Sequence, residues 1–296
     1  MRRERRFVTA LFIGPALAIY LIFFIFPAIQ ALWTSLYDWR GFTEDATFVG
    51  LKNFSEMSRD NQFWASLGNT LGIVFFGGLA VFALAFVFTA LLDSHFKGRK
   101  FFRAVIFMPN VIAPVALATL WGFIYNPRFG LLNSFARALG LEDLAITTWM
   151  APDTIYWSVM VALVWIYVGF YTVLLMAGVD KIPQEMFEAA QIEGASGFQI
   201  FTRVTIPMIW DVIAVGVVLW GITALKMFEF LYAISGILPP RELWTVSIYL
   251  YVMGFGKRDP IFRLGYATAI GVALLLVVIV FIILVRRLLR REALEF

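Results

Sequence analysis

Six long apolar runs dictate the environment of this chain before any other feature is considered. They cover approximately Val8–Leu36, Asn69–Leu92, Ala104–Tyr125, Ile155–Val179, Ile206–Tyr232 and Leu264–Leu289. About 20 helical residues cross a hydrocarbon core of roughly 30 Å. In that medium every backbone N–H and C=O must be satisfied within the segment, so runs of this length read as α-helices. A β-barrel would show short alternating segments, and the sequence lacks them. Pro15, Pro27, Pro109 and Pro114 lie in or beside the runs, where neighbouring helices can take up the freed carbonyls. With 61% of 296 residues hydrophobic and 15% charged, a soluble body of this size would lack polar surface. The expected fold is an all-α integral membrane protein with six transmembrane helices. Residues 1–68 form a first helix with an outer loop, and residues 69–296 form a five-helix core.

The basic segment Met1–Arg6 precedes an apolar run far longer than the hydrophobic part of a signal peptide, and no small-residue cleavage site closes that run. It reads as a retained first helix. Basic residues cluster at Arg2, Arg3, Arg5 and Arg6, at Lys97, Arg99, Lys100 and Arg103, and at Arg286, Arg287, Arg290 and Arg291, with Lys181 and Arg203 on the same side. The excess of positive charge on that side places both termini in the cytoplasm, against the trend of Arg241, Lys257, Arg258 and Arg263 in the last outer loop. A net charge of +4 held in short clusters beside apolar runs points to membrane orientation, not to nucleic acid. With no cysteine and one histidine, His95 in a basic loop, the chain offers no disulfide, no cysteine-based metal site and no Ser-His-Asp triad within the membrane. No metal site and no catalytic residues are expected, and the absence of a Walker A pattern leaves the chain without a phosphate-binding loop.

The loop between the fourth and fifth runs, residues 181–207, carries the most information. Pro183 suits the first turn of a helix, Glu185 and Glu188 place negative charge at its positive end, and Ala189 and Ala190 favour the helical state. Gly194 breaks that helix. A second amphipathic helix begins near Gly197 with Phe198, Phe201 and Val204 on one face, and Pro207 marks the entry to the next span. A helix pair lying at the membrane surface either covers lipid headgroups or presents small residues to another protein's groove.

The order Glu188-Ala189-Ala190, Gly194-Ala195, Phe201 and Ile206-Pro207 resembles the EAA loop of binding-protein-dependent ABC importer permeases. Phe48-Val49-Gly50-Leu51-Lys52-Asn53-Phe54, the stretch from Trp220, and Gly265-Tyr266-Ala267 with Ala269 are similar to carbohydrate permeases of the MalF/UgpA type, so the resemblance spans nearly the whole chain. Two departures stand out: Glu193 where an aspartate is frequent, and Ser235-Gly236-Ile237-Leu238-Pro239-Pro240 where a Gly-Gly-Pro turn is common. The resemblance implies the type I ABC importer permease architecture. It also implies import of a sugar or related solute by alternating access, a second homologous permease, two ATPase subunits that bind the ATP and Mg, and an extracytoplasmic binding protein. Glu188, Ala189, Ala190, Gly194, Ala195 and Pro207 then become the ATPase-coupling residues. The alternative is a secondary transporter driven by an ion gradient, which would more often show internal repeats and paired midplane carboxylates.

A sugar presents hydroxyls and apolar ring faces, so its path should mix aromatic and hydrogen-bonding groups. Asn110, Tyr167, Tyr171, Trp220, Thr223, Phe228, Glu229 and Tyr232 fit that description. Lys226 and Glu229, three apart, would share a face of a continuous fifth helix and could pair. Counted from Pro207 they fall roughly 28 Å along it, near the outer mouth.

Overall fold

The computed structural model describes residues 12–41, 45–92, 97–236, 239–256 and 262–290. The basic cluster Arg2–Arg6, the start of the first expected span, His95, Ile237, Leu238, Lys257, Arg258 and Arg291 lie outside the described residues. The elements are α1 (Phe12–Thr34), β1 (Tyr37–Asp38), β2 (Thr47–Phe48), α2 (Lys52–Ser58), α3 (Asn61–Leu91), α4 (Arg99–Val111), α5 (Pro114–Ile124), α6 (Leu131–Ala138), α7 (Glu142–Ala145), α8 (Ile155–Val179), α9 (Gln184–Ile192), α10 (Gly197–Met208), α11 (Trp210–Leu225), α12 (Glu229–Ile234), α13 (Val246–Phe255) and α14 (Leu264–Leu289).

Four of these helices, α1, α3, α8 and α14, are long and apolar enough to cross a membrane. The third and fifth expected spans are not single helices. The third is broken by 99° between α4 and α5, and the fifth by 72° between α10 and α11. The first break has a local cause. A residue before proline is pushed out of the helical region, and Ile112 and Ala113, ahead of Pro114, are extended with ψ of 138° and 136°. The fifth run breaks again after Leu225, with Phe228 at φ −139° ahead of α12. Two further differences concern lengths. α3 begins at Asn61 rather than Asn69, because Asp60 caps it by accepting from the N–H groups of Gln62 and Phe63. The segment between α12 and α14 contains α13, an apolar helix of ten residues that is too short to cross.

The chain divides into two compact units. In the unit formed by Met1–Phe63 and Tyr249–Leu276, β1 and β2 pair antiparallel, Tyr37 opposite Phe48. The buried Asn53 side chain ties the end of α1 to the hairpin, donating to the carbonyls of Ser35 at 2.8 Å and Tyr37 at 2.9 Å. Gly265 admits the backbone at the start of α14: its N–H reaches the Trp39 carbonyl at 3.0 Å, and a Cβ there would strike the Tyr37 carbonyl.

The unit formed by Trp64–Ile248 and Val277–Phe296 is built around α8, which packs on α3 and α4 with Leu163 and Leu175 fully buried. Its contact with α4 is backbone against backbone, because a Cβ on Gly169 would collide with the Ile106 carbonyl and the Phe107 Cα. Small residues permit such close approach where no hydrophobic effect drives helices together. Trp220 of α11 is buried against Gly77 and Gly78, where any Cβ would meet its ring, and its Nε1–H donates to the Val74 carbonyl at 2.8 Å. Asn69 donates to the carbonyls of Glu242 and Trp244, and Thr70 accepts from the Val246 N–H, which fixes the chain leading into α13.

Gly169→Val should cost about 1–3 kcal/mol by overpacking, since backbone cannot give way as a side chain does. Thermal melting of the purified protein in detergent should fall relative to Gly122→Val, at a glycine with open space around it.

Candidate coupling surface and solute cavity

The loop singled out in the sequence forms a helical hairpin. α9 ends at Ile192, and Gly194 follows with φ +78°. The Gly194 N–H bonds the Gln191 carbonyl and the Ala195 N–H reaches back to the Ala190 carbonyl, both at 3.0 Å. This pair of bonds is a Schellman motif, and its left-handed residue favours glycine. Ser196 then caps α10 reciprocally with Gln199, each side chain bonding the other's backbone N–H. α10 is anchored at its far end: Phe201 packs edge-on against Phe86 and Thr205 is buried. α9 has no buried residue, and Glu188, Ala189 and Gly194 are exposed while Ala190 and Ala195 are half-buried. Ile192 (86% exposed) and Phe198 (77%) stand in the open beside them. Pro207 lies inside α10, two residues before the bend at Ile209, rather than at the entry to a straight span. Asp180, which ends α8 below the hairpin, pairs with Arg99 and at 3.5 Å with Arg103.

The second locus forms where the helix breaks meet. A cavity of about 320 Å³ is lined by Asn110 at the end of α4, Pro114 at the start of α5, Tyr167 of α8 and Thr223 of α11, together with Lys226, Phe228 and Glu229 around the break after Leu225. The Met227 carbonyl left free by that break accepts from the buried Thr245 hydroxyl at 3.0 Å. Five of the eight expected solute-path residues, Asn110, Tyr167, Thr223, Phe228 and Glu229, therefore share one cavity. The other three do not. Trp220 and Tyr171 are buried in packing, with Tyr171 against Phe82 and Trp220, and Tyr232 is stacked on Phe228 away from the lining. The pairing expected of Lys226 and Glu229 is not seen. α11 stops at Leu225, so the two do not share a helix face, and no ion pair joins them among the described residues.

The sequence reading missed a polar cluster in the other unit. Asp60 accepts from the hydroxyls of Tyr249 and Tyr266, the latter at 2.6 Å, as well as from two backbone N–H groups. Beside it Glu56 and Arg263 form a two-bond pair, each bond 2.7 Å, and the Arg263 guanidinium lies 4.5 Å from the Tyr266 ring centre. Nothing local marks these partners, which are about 190 to 207 positions apart.

Residues 87–293 match the family described as binding-protein-dependent transport system inner membrane component. The chain is 34% identical over 287 residues to the diacetylchitobiose uptake system permease NgcF of Streptomyces coelicolor, covering 93% of this chain and 80% of the relative. It is 31% identical over 242 residues to the trehalose/maltose permease MalF of Thermococcus litoralis, covering 81% of each. It is 30% identical over 280 residues to the sn-glycerol-3-phosphate permease UgpA of Salmonella typhi, covering 93% and 91%. Its fold is similar to that of a bacterial ABC transporter involved in alginate import, with a TM-score of 0.84 at 23% identity over 98% of both chains. The chain belongs to the binding-protein-dependent inner-membrane transport components. It is a permease subunit of an ABC importer, a transport component rather than an enzyme. That membership sets aside the ion-gradient reading.

Burial raises the Asp60 carboxyl, but the hydrogen bonds from Tyr249, Tyr266, Gln62 and Phe63 outweigh it and leave the group below its ordinary value. The bond from Arg263 lowers Glu56 likewise. A carboxyl depressed in the folded state stabilises it above the ordinary carboxylate range, near pH 4, and loses that contribution as pH falls through the depressed value. Melting temperature should therefore drop as pH falls below about 4. Asp60→Asn with Glu56→Gln should lower it at neutral pH and flatten its acid dependence, as followed by differential scanning fluorimetry.

Proposed function

We propose that the chain is one half of the translocation pore of a carbohydrate importer. A second, homologous permease supplies the other half, two ATPase subunits bind below, and an extracytoplasmic binding protein delivers the solute. The solute class is supported by the relatives, whose names specify diacetylchitobiose, trehalose/maltose and sn-glycerol-3-phosphate. An alginate importer of the same fold is known in complex with a periplasmic protein carrying an alginate pentasaccharide. In this reading each bent pair is one membrane crossing, which makes six in all, and both termini and the α9–α10 hairpin face the cytoplasm. ATP and Mg belong to the ATPase subunits, and this chain holds no cofactor.

One observation carries the mechanism. α9, α10 and α11 follow one another with only the short turn at Gly194 and the bend at Ile209 between them, and α11 ends at the cavity. An exposed helix with small residues at Ala189 and Ala190 is a surface for a groove in the ATPase. Movement imposed there passes through α10, which is pinned by Phe201, to α11, whose far end carries Thr223 and Lys226 at the cavity. Closure of the ATPases on ATP would thus reshape the cavity, and hydrolysis would reset it, which is alternating access. Asn110, Tyr167, Thr223 and Glu229 supply hydrogen bonds to hydroxyls, and Phe228 supplies an apolar face for a sugar ring.

Glu188→Arg and Gly194→Val should abolish uptake while the chain still reaches the membrane. Gly194→Asn should retain most uptake, because asparagine tolerates a left-handed backbone. Uptake of radiolabelled disaccharides and co-purification of the ATPase subunits provide the measurement. Full uptake and full co-purification in the first two variants would remove α9 from the coupling role. Asn110→Leu and Thr223→Val should each raise the solute concentration for half-maximal transport about fivefold, the effect of about one net hydrogen bond, with ATPase co-purification unchanged.

A further inference from the structure

A third locus lies away from both the hairpin surface and the solute cavity. Between α11 and the last turns of α14 runs a groove of about 650 Å³. Its walls are Ala214, Val215, Val218 and Leu219 on one side and Val285 and Leu289 on the other, and its mouth carries Arg286, Arg290 and Asp211. Val215 (53% exposed) and Leu219 (40%) face outward, and only 11% of the apolar stretch of α14 is buried, so the chain leaves this groove open. The mouth is fixed by Trp210, whose Nε1–H donates to the Leu289 carbonyl at 2.7 Å and ties the first turn of α11 to the end of α14. Tryptophan is enriched at the boundary between hydrocarbon and headgroups, the level a lipid headgroup occupies.

The charges at the mouth choose the occupant. Arg286 lies in the last turn of α14 and Arg290 follows directly after its end at Leu289, and both line the groove. Both are exposed, and among the described residues no carboxylate forms an ion pair with either. Asp211, the acidic group at the rim, lies in the first turn of α11. Among the described residues that line the groove, two cations against one carboxylate leave a single positive charge above an apolar slot. A phosphodiester with one negative charge neutralises that excess, and an acyl chain fills the slot below. Basic pockets between transmembrane helices bind acidic headgroups in this way.

We propose that the α11–α14 groove is a binding site for an anionic phospholipid. Arg286 and Arg290 hold the phosphodiester, one acyl chain lies along Val215, Val218 and Leu219, and Asp211 accepts a bond from a headgroup hydroxyl such as those of phosphatidylglycerol. The site does not depend on the coupling or solute assignments. It places a lipid against α11, the helix that runs from the surface hairpin to the cavity.

The test is native mass spectrometry of the assembled importer. The importer is delipidated and then supplied with dioleoyl phosphatidylglycerol, phosphatidylethanolamine or phosphatidylcholine at equal concentration. Phosphatidylglycerol should be retained about thirtyfold better than phosphatidylcholine, as expected for two nearby arginines. Arg286→Gln with Arg290→Gln should bring its retention down to the phosphatidylcholine level. Val218→Trp, which fills the slot without changing charge, should displace one phosphatidylglycerol per permease and covers the case in which the double variant fails to assemble. Equal retention of all three lipids, or preference for phosphatidylethanolamine with its ammonium on Asp211, would overturn the proposal. So would unchanged phosphatidylglycerol binding in either variant. Because the chain has no cysteine, Val215→Cys adds a unique thiol. Its crosslinking to the second permease, rather than labelling by a lipid-soluble maleimide, would show that protein covers the groove and would also overturn the proposal.

Discussion

The constraint beneath this structure is that a bilayer offers no water to an unpaired backbone group. Long helices meet it automatically, and α1, α8 and α14 are of that kind. A break in a helix is tolerable only where something else supplies the missing partners. Among the described residues the apolar runs break ahead of Pro114, at Ile209 and after Leu225, and two of these breaks, the one ahead of Pro114 and the one after Leu225, border the same cavity. At the latter, the Thr245 hydroxyl takes up the Met227 carbonyl. Broken helices in membrane transporters recur where a polar solute must be met, because irregular backbone and polar side chains are tolerated around a cavity and not against lipid.

The same economy shapes the packing. Helices in a membrane gain little from hiding apolar surface, so close approach and hydrogen bonds have to hold them. Gly169 lets α8 touch the backbone of α4, and Gly77 with Gly78 admits Trp220, whose indole then finds the Val74 carbonyl. An aromatic that looks like a sugar contact in the sequence thus serves as a tenon between helices. The hairpin follows the opposite logic. α9 is left without a buried residue, while α10 is secured by Phe201 and Thr205. A rigid lever with a free outer face suits a surface that another subunit engages.

Much of this protein was legible in its sequence. The apolar runs, the capped helix at Gln184–Ile192, the stop at Gly194 and the restart at Gly197 depend on residues adjacent in the chain, and local chemistry is enough to place them. Gly194 in particular reads as a helix stop because a left-handed residue there closes the Schellman bonds without strain. Membership of the importer permeases was written in the same loop. Local chemistry could not say which of many aromatics face a cavity, since Tyr167 and Tyr171 lie one helical turn apart and only the first lines it. Nor could it find Asp60 with Tyr249 and Tyr266, or the groove that Arg286 and Arg290 overlook, because those neighbours come together only when distant segments pack. The sequence by itself determined the solvent, the helical class and the surface hairpin, all of which follow from period and composition along one dimension. Only the tertiary structure decided which side chains meet and which of them line the cavity, because those outcomes rest on contacts between residues the chain keeps far apart.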